Sequence, residues 1–222
     1  MTQIADINKI QEERLGHKIY LELKKKLIVG ELMPGEGLSI RKVAEEYKVS
    51  AMPVREALRQ LAIEQALISA AKKAYRVPDL TAGQAADLFF VRSILEGAAA
   101  EIATANATKA DFKLLEKLIM GMNKYWQAKD AKSFLFTNYQ FHSHITSLSS
   151  NSALQAMIDG IYLRTGPWLA HGITELVDLD AWKADHSGIV NALRASDAKT
   201  VRRLVEEDAY WGVSIYSAID NT

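Results

Sequence analysis

The stretch Leu38–Leu61 constrains this chain more than any other. It reads as two short helices joined by a tight turn. Ile40, Val43, Ala44 and Tyr47 give the first an apolar stripe at helical spacing, and Val54, Ala57, Leu58 and Leu61 do the same for the second. Ser50 suits an N-cap, and Pro53 falls in the first turn, where a missing N–H costs nothing. The second helix then turns Ser50, Met52, Arg55 and Arg59 to solvent, where a helix-turn-helix meets base edges and phosphates. Taken alone, the stretch also fits an ordinary helical hairpin with a charged outer face.

Its surroundings separate these readings. Upstream, residues 9–29 form a helix carrying Ile10, Leu15, Ile19, Leu23, Leu27 and Ile28, with the basic run Lys24-Lys25-Lys26 near its end. The segment Gly30-Glu-Leu-Met-Pro-Gly-Glu-Gly37 breaks that helix. Downstream, 66–70 and 74–78 are β-prone runs around Ala71-Lys72-Lys73, a hairpin with a basic tip. Three helices and a small hairpin make a winged helix. Residues 1–78 hold 14 Lys+Arg against 10 Asp+Glu, a net of +4, whereas the remainder nets −4. The basic front part is the part suited to a polyanion.

The 222 residues allow two small domains. The absence of cysteine excludes disulfide and thiolate chemistry and suits a reducing cytoplasm. No secretory signal and no membrane-length apolar run is visible, so the expected location is cytoplasmic. Pro78-Asp-Leu-Thr81 marks a boundary, with a winged helix-turn-helix over 1–78 and a second domain over 79–222. Helical patterns at about 81–104, 109–128, 131–149, 152–170, 175–194 and 197–218 make that second domain an all-α antiparallel bundle. The fold class is mainly α.

Several polar residues sit on the bundle's apolar stripes. Leu88, Val91, Leu95, Ala99 and Ile102 form one stripe that contains Arg92. Phe134, Phe141, Ile145 and Leu148 share theirs with Asn138 and His142. Trp182, Ile189, Val190 and Leu193 flank His186, and Val201, Leu204, Val205, Trp211 and Ile215 flank Asp208. A buried charge is costly unless paired or bound to a metal, so five such residues on four helices point to a shared polar cavity. Two imidazoles, a carboxylate and an amide oxygen suit Zn²⁺, Ni²⁺ or Mn²⁺ better than Ca²⁺. His17, His144 and His171 show no such grouping. A rival reading of the same residues is a metal hydrolase using His142, His186 and Asp208 to activate water.

The blocks Gly30–Leu38, Val49-Ser50 and Pro53-Val-Arg-Glu-Ala-Leu58 resemble the N-terminal domain of GntR-type bacterial transcription regulators. That resemblance implies that Arg41, Arg55 and Ser50–Met52 meet double-stranded operator DNA while Lys72 and Lys73 enter the minor groove. An Arg is usual directly after the Val-Ser pair, and this chain has Ala51, which implies an altered operator sequence. Arg59, one turn beyond Arg55, can supply part of that charge. Residues 81–215 resemble the FCD ligand-sensing domain of the FadR subfamily through Arg92-Ser-Ile-Leu-Glu96, Asn138-Tyr-Gln-Phe-His142 and Asp185–Leu193. In that family an Asp and three His hold a metal and a carboxylate effector binds beside it. His142 and His186 match, whereas Asn138 and Asp208 replace the usual Asp and His. The resemblance implies that Arg92 pairs with the effector carboxylate, with Arg164 a second candidate. The expectation is a homodimeric, non-enzymatic regulator whose operator affinity answers to a small carboxylated metabolite.

Overall fold

The computed structural model describes residues 2–70, 74–175 and 185–219. The first long helix, α1 (Thr2–Ile28), starts earlier than the apolar stripe suggests. It ends in a turn through Gly30, whose φ of +68° favours glycine. A short strand, β1 (Gly37–Ser39), follows and leads directly into α2 (Ile40–Tyr47), which the Ser39 hydroxyl caps by accepting from the Lys42 N–H at 3.2 Å. Lys48 closes α2 in the left-handed conformation (φ 55°). The helix α3 (Ala51–Ile63) begins after Ser50, which takes the N-cap position but makes no side-chain cap bond.

Strands β2 (Ile68–Ala70) and β3 (Ala74–Arg76) pair antiparallel, and β3 also pairs with β1, giving the order β1-β3-β2. The expected hairpin is therefore the outer part of a three-stranded sheet. Its tip, including Lys72 and Lys73, lies outside the described residues. Ile19, Leu23, Leu27, Val54, Leu58, Leu61, Leu67 and Val77 build the core beneath it. These positions come from one stripe on each of α1 and α3 and from Leu67 and Val77, which flank strands β2 and β3, so the helical spacings in the sequence produce most of this packing directly.

The remaining elements are all helical: α4 (Ala82–Ala103), α5 (Lys109–Gln127), α6 (Ala131–Leu148), α7 (Ser152–Glu175), α8 (His186–Arg194) and α9 (Ala198–Ile219). Capping explains the starts of three. Thr81 and Gln84 form a reciprocal box before α4, Asp130 accepts from Ser133 before α6, and Asp185 accepts from Gly188 before α8. The helix expected over 175–194 thus begins only at His186, because Asp185 is its cap; residues 176–184, with Trp182, lie outside the described residues.

The face of α4 also differs from expectation. Phe89, Arg92, Ser93, Glu96, Ala99 and Ala103 are buried, whereas Phe90, Val91, Ile94 and Ile102 are exposed. A helix apolar all round does not reveal its inner side by periodicity.

Helix α7 joins the two parts. Leu163 packs within the winged-helix core, and Leu169 and Ile173 belong to the bundle core. Pro167 lies between them inside the helix. Lys24 of α1 pairs with Asp159 of α7 at 2.8 Å, and the same carboxylate accepts from Tyr139 of α6 at 3.1 Å and from Gln155 at 3.0 Å.

Candidate functional site

The first site is the outer face of α2 and α3. A groove between these helices is lined by Ser39, Arg41, Lys48, Ala51 and Arg55. Met52 and Arg59 lie on the other side of α3, in a second groove with Glu12, Glu13, His17 and Ile63. The expected contact set is therefore divided between two flanks of the helix. Arg41 is paired with Glu45 at 3.1 Å and Arg59 with Glu56 at 2.9 Å, whereas Arg55 is exposed with no ion pair among the described residues. Both existing pairs are surface pairs of neighbouring turns, weak enough to yield to a phosphate. Lys48 was not singled out from the sequence; its place two residues before the Ser50 cap is the signal that could have found it.

The second site lies within the bundle. His142 and His186 are both buried, and the Asp208 side chain is only 7% exposed. His142 Nε2 stands 2.7 Å from Asp208 Oδ2, and His186 Nε2 stands 3.7 Å from the same oxygen. Asn138 Oδ1 is 3.1 Å from His186 Nε2. Three helices thus bring the four residues together: α6 supplies Asn138 and His142 one turn apart, α8 supplies His186 in its first turn, and α9 supplies Asp208. Phe141 stands edge-on to the His186 ring at 4.8 Å and excludes water from that side.

Arg92 and Glu96 complete the cluster. Arg92 Nε donates to Glu96 Oε1 at 2.7 Å, and its Nη2 donates to the Tyr162 hydroxyl at 2.9 Å. Glu96 Oε2 is 3.1 Å from His142 Nδ1. Glu96 and Tyr162 were not on the list of candidates. The four-residue spacing of Arg92 and Glu96 places them on one helix face and was the available signal for the pair. Tyr162 carried none, since its hydroxyl arrives from α7. Arg164 is half-buried on the same helix and does not line the cavity beside the cluster.

The charges settle one another. Burial alone would lower the His142 pKa, but the Glu96 and Asp208 carboxylates raise it to about 9. Burial lowers His186 to about 4, since Asp208 restores only part of the loss. Burial would raise Asp208, yet the His186 and His142 rings and Arg92 hold it at about 2. Because His186 is neutral at neutral pH, the charges that stabilise Asp208 there are those of His142 and Arg92. Glu96 is likewise held below the usual carboxylate range, by Arg92 and His142 against the effect of burial.

One detail bears on metal binding. The short His142–Asp208 contact lacks hydrogen-bond alignment, so His142 Nε2 is a buried nitrogen without a hydrogen-bond partner. Ligand atoms of His142, His186 and Asp208 lie within 4.8 Å of one another. Two imidazoles and a carboxylate in this disposition fit a first-row divalent cation. The adjoining cavity, about 20 Å³, reaches Arg92, Asn138 and Asp208 and is otherwise walled by apolar groups including Phe89, Phe134, Leu169 and Trp211. That volume holds one ion or water. Glu96 does not line it, so among the described residues no separate carboxylate is placed there as a general base.

Comparison with known proteins assigns each part of the chain to a family. Residues 15–77 match the family described as bacterial regulatory proteins, gntR family, and residues 87–208 match the FCD domain. The chain is 28% identical over 210 residues to the HTH-type transcriptional regulator McbR of Escherichia coli (strain K12), spanning 93% of this chain and 95% of that protein. It is 31% identical over 140 residues to the gluconate operon transcriptional repressor of Bacillus subtilis (strain 168), spanning 63% of this chain and 57% of that protein. The solved structure of E. coli McbR/YncC superposes with a TM-score of 0.86 at 27% identity, covering 93% and 99% of the two chains. No described helix is long and apolar enough to cross a membrane. The hydrolase reading falls away, because these relatives are regulators and the family is one of DNA-binding proteins. The chain is a transcriptional regulator of the GntR family, with a winged helix for operator DNA and an FCD domain behind it.

Proposed function

We propose that this regulator is a cytoplasmic homodimer whose operator affinity is set by a small carboxylated metabolite, bound with a divalent metal in the FCD domain. Residues 1–78 are the operator-binding part and 79–222 the sensing part. Arg41, Ser50, Ala51 and Arg55 face the major groove with Lys48 beside them, Met52 and Arg59 flank the contact, and Lys72 and Lys73 carry the wing's charge. His142, His186, Asp208 and Asn138 hold the metal, with Zn²⁺, Ni²⁺ or Mn²⁺ suited to that mixture.

The observation that carries the sensing half of this reading is the buried His142 Nε2, 2.7 Å from Asp208 yet not hydrogen-bonded to it. One ligand atom each from His142, His186 and Asp208, all within 4.8 Å of one another in a buried pocket, supports their sharing one ion. When bound, the metal supplies a positive charge on which an effector carboxylate can close. The cavity of about 20 Å³ is too small for an organic acid, so binding displaces apolar walls such as Phe89 and Leu169. Leu169 lies on α7, whose other half packs into the winged-helix core through Leu163. Effector binding then shifts operator affinity to the extent that it favours one arrangement of the winged helices over another.

Dimerisation is supported by the exposed face of α4. Phe90, Val91, Ile94 and Ile102 form an apolar stripe on a helix whose opposite side is packed against α9. Operator binding by a two-fold dimer implies a palindromic site. The test is a mobility-shift titration of promoter DNA at several salt concentrations, with and without Mn²⁺ and a panel of organic acids. The proposal predicts salt-dependent binding that a metal and an acid alter together; binding indifferent to both would refute the sensing mechanism.

A further inference from the structure

Arg92 stands where an effector carboxylate is expected to be gripped, but the carboxylate it holds is the protein's own. Its Nε lies 2.7 Å from Glu96 Oε1, its Nη2 donates to Tyr162 at 2.9 Å, and its guanidinium lies over the Tyr162 ring at 4.0 Å and the Phe89 ring at 5.3 Å. Tyr162 is in turn braced edge-on by Tyr139 at 5.1 Å. Arg92, Glu96 and His142 each expose 3% or less of their surface. An Arg turned away to meet a ligand would take from Glu96 the closer of its two charged partners and leave the buried carboxylate to His142 alone.

The other oxygen of Glu96 explains what the pair is for. It lies 3.1 Å from His142 Nδ1, an ion-pair contact that, like the one between His142 Nε2 and Asp208, is not aligned as a hydrogen bond. A metal-binding imidazole offers one nitrogen to the ion and is fixed in tautomer and rotation by the partner of the other. We infer that Glu96 is the positioning residue of His142, setting Nε2 toward the cation, and that Arg92 and Tyr162 anchor Glu96 rather than clamp the effector. This rests on the divalent-metal reading given above. It assigns Arg92 to the metal half of the sensor and leaves effector specificity to the ion and the apolar walls.

The two roles of Arg92 separate in a Co²⁺ titration read by visible absorption, followed by addition of acetate as a plain carboxylate probe. Circular dichroism melts confirm folding of the wild type, Glu96→Gln, Arg92→Met and the double variant, which has no unpaired charge and so remains informative where a single variant fails to fold. Co²⁺ binding weakens about tenfold to a hundredfold in Glu96→Gln and in Arg92→Met. The Co²⁺ spectrum changes as His142 loses its fixed orientation. The double variant is no weaker than Glu96→Gln, because Arg92 acts through Glu96. Arg92→Met that binds Co²⁺ as the wild type does, but loses the acetate response, makes Arg92 an effector clamp and overturns the inference. Unchanged Co²⁺ binding in Glu96→Gln does the same. A wild type that takes up no Co²⁺ overturns the metal reading itself, and that result is visible before any variant is compared.

Discussion

Gly166 of α7 lies directly against the last turn of α1: a Cβ added to it would come within 2.7 Å of the Leu27 carbonyl oxygen and 2.9 Å of the Ile28 Cα. Backbone meets backbone there, one residue before Pro167, at the junction between the helical bundle and the winged helix. Gly30 in turn packs against the side chain of Ala170 on the same helix.

Gly166→Ala forces these helices apart. Overpacking of this kind costs about 1–3 kcal/mol. The expected result is a melting temperature lower by several degrees and a weakened effect of any effector on operator affinity, read by thermal melts and by mobility shifts with and without metal and acid. A variant that melts and responds like the wild type would remove α7 as the link.

Metal-free protein should be most stable near pH 6.5. An unfolded histidine titrates at about 6.5. His142, raised to about 9, binds protons more tightly when folded, so its contribution is complete below pH 6.5 and is lost as pH rises through 9. His186, lowered to about 4, binds protons less tightly when folded, so stability falls as pH drops from 6.5 toward 4. Asp208, held at about 2, adds a further loss below the usual carboxylate range. Urea melts between pH 5 and 9 in chelator test the curve, and His142→Gln should flatten its alkaline limb.

Arg55→Ala should weaken operator binding more than Arg59→Ala. Arg55 lines the groove between α2 and α3 with no ion pair among the described residues, whereas Arg59 lies on the opposite flank and is held by Glu56. Loss of one phosphate contact lowers the salt slope of log K by about 1. Binding isotherms from 50 to 200 mM salt measure both variants. Equal slopes for the two would place the DNA elsewhere on α3.

Ile94→Glu puts a charge in the exposed stripe of α4 without touching the core. The expected outcome is a shift from dimer to monomer in light scattering after gel filtration, and loss of tight binding to a two-half-site operator. A dimer that survives this change would mean that another face joins the subunits.

Much of this was readable in the sequence because its helices are amphipathic. Asn138, His142, His186 and Asp208 each interrupt an apolar stripe, and interrupted stripes are what periodicity detects. The inner face of α4 was not readable, since Phe89 and Phe90 are adjacent and equally apolar while only the first is buried. Strand β1 escaped because three residues are too few to show alternation. Glu96 was hidden by its charge: a carboxylate next to an arginine on a helix reads as a solvated pair unless the burial of both is known. The Asp185 cap was missed for the reverse reason, as a polar residue before a histidine fits equally inside a helix or at its start.

Ser39 is at once the last residue of β1 and the cap of α2. Since β1 pairs with β3, the sheet that carries the wing is spliced through β1 to the first helix of the reading unit. The two cannot tilt separately. If the helices meet the major groove and the wing the neighbouring minor groove, as proposed, the two footprints keep a fixed spacing on this protein, and an operator that spaces them differently must be accommodated by bending the DNA.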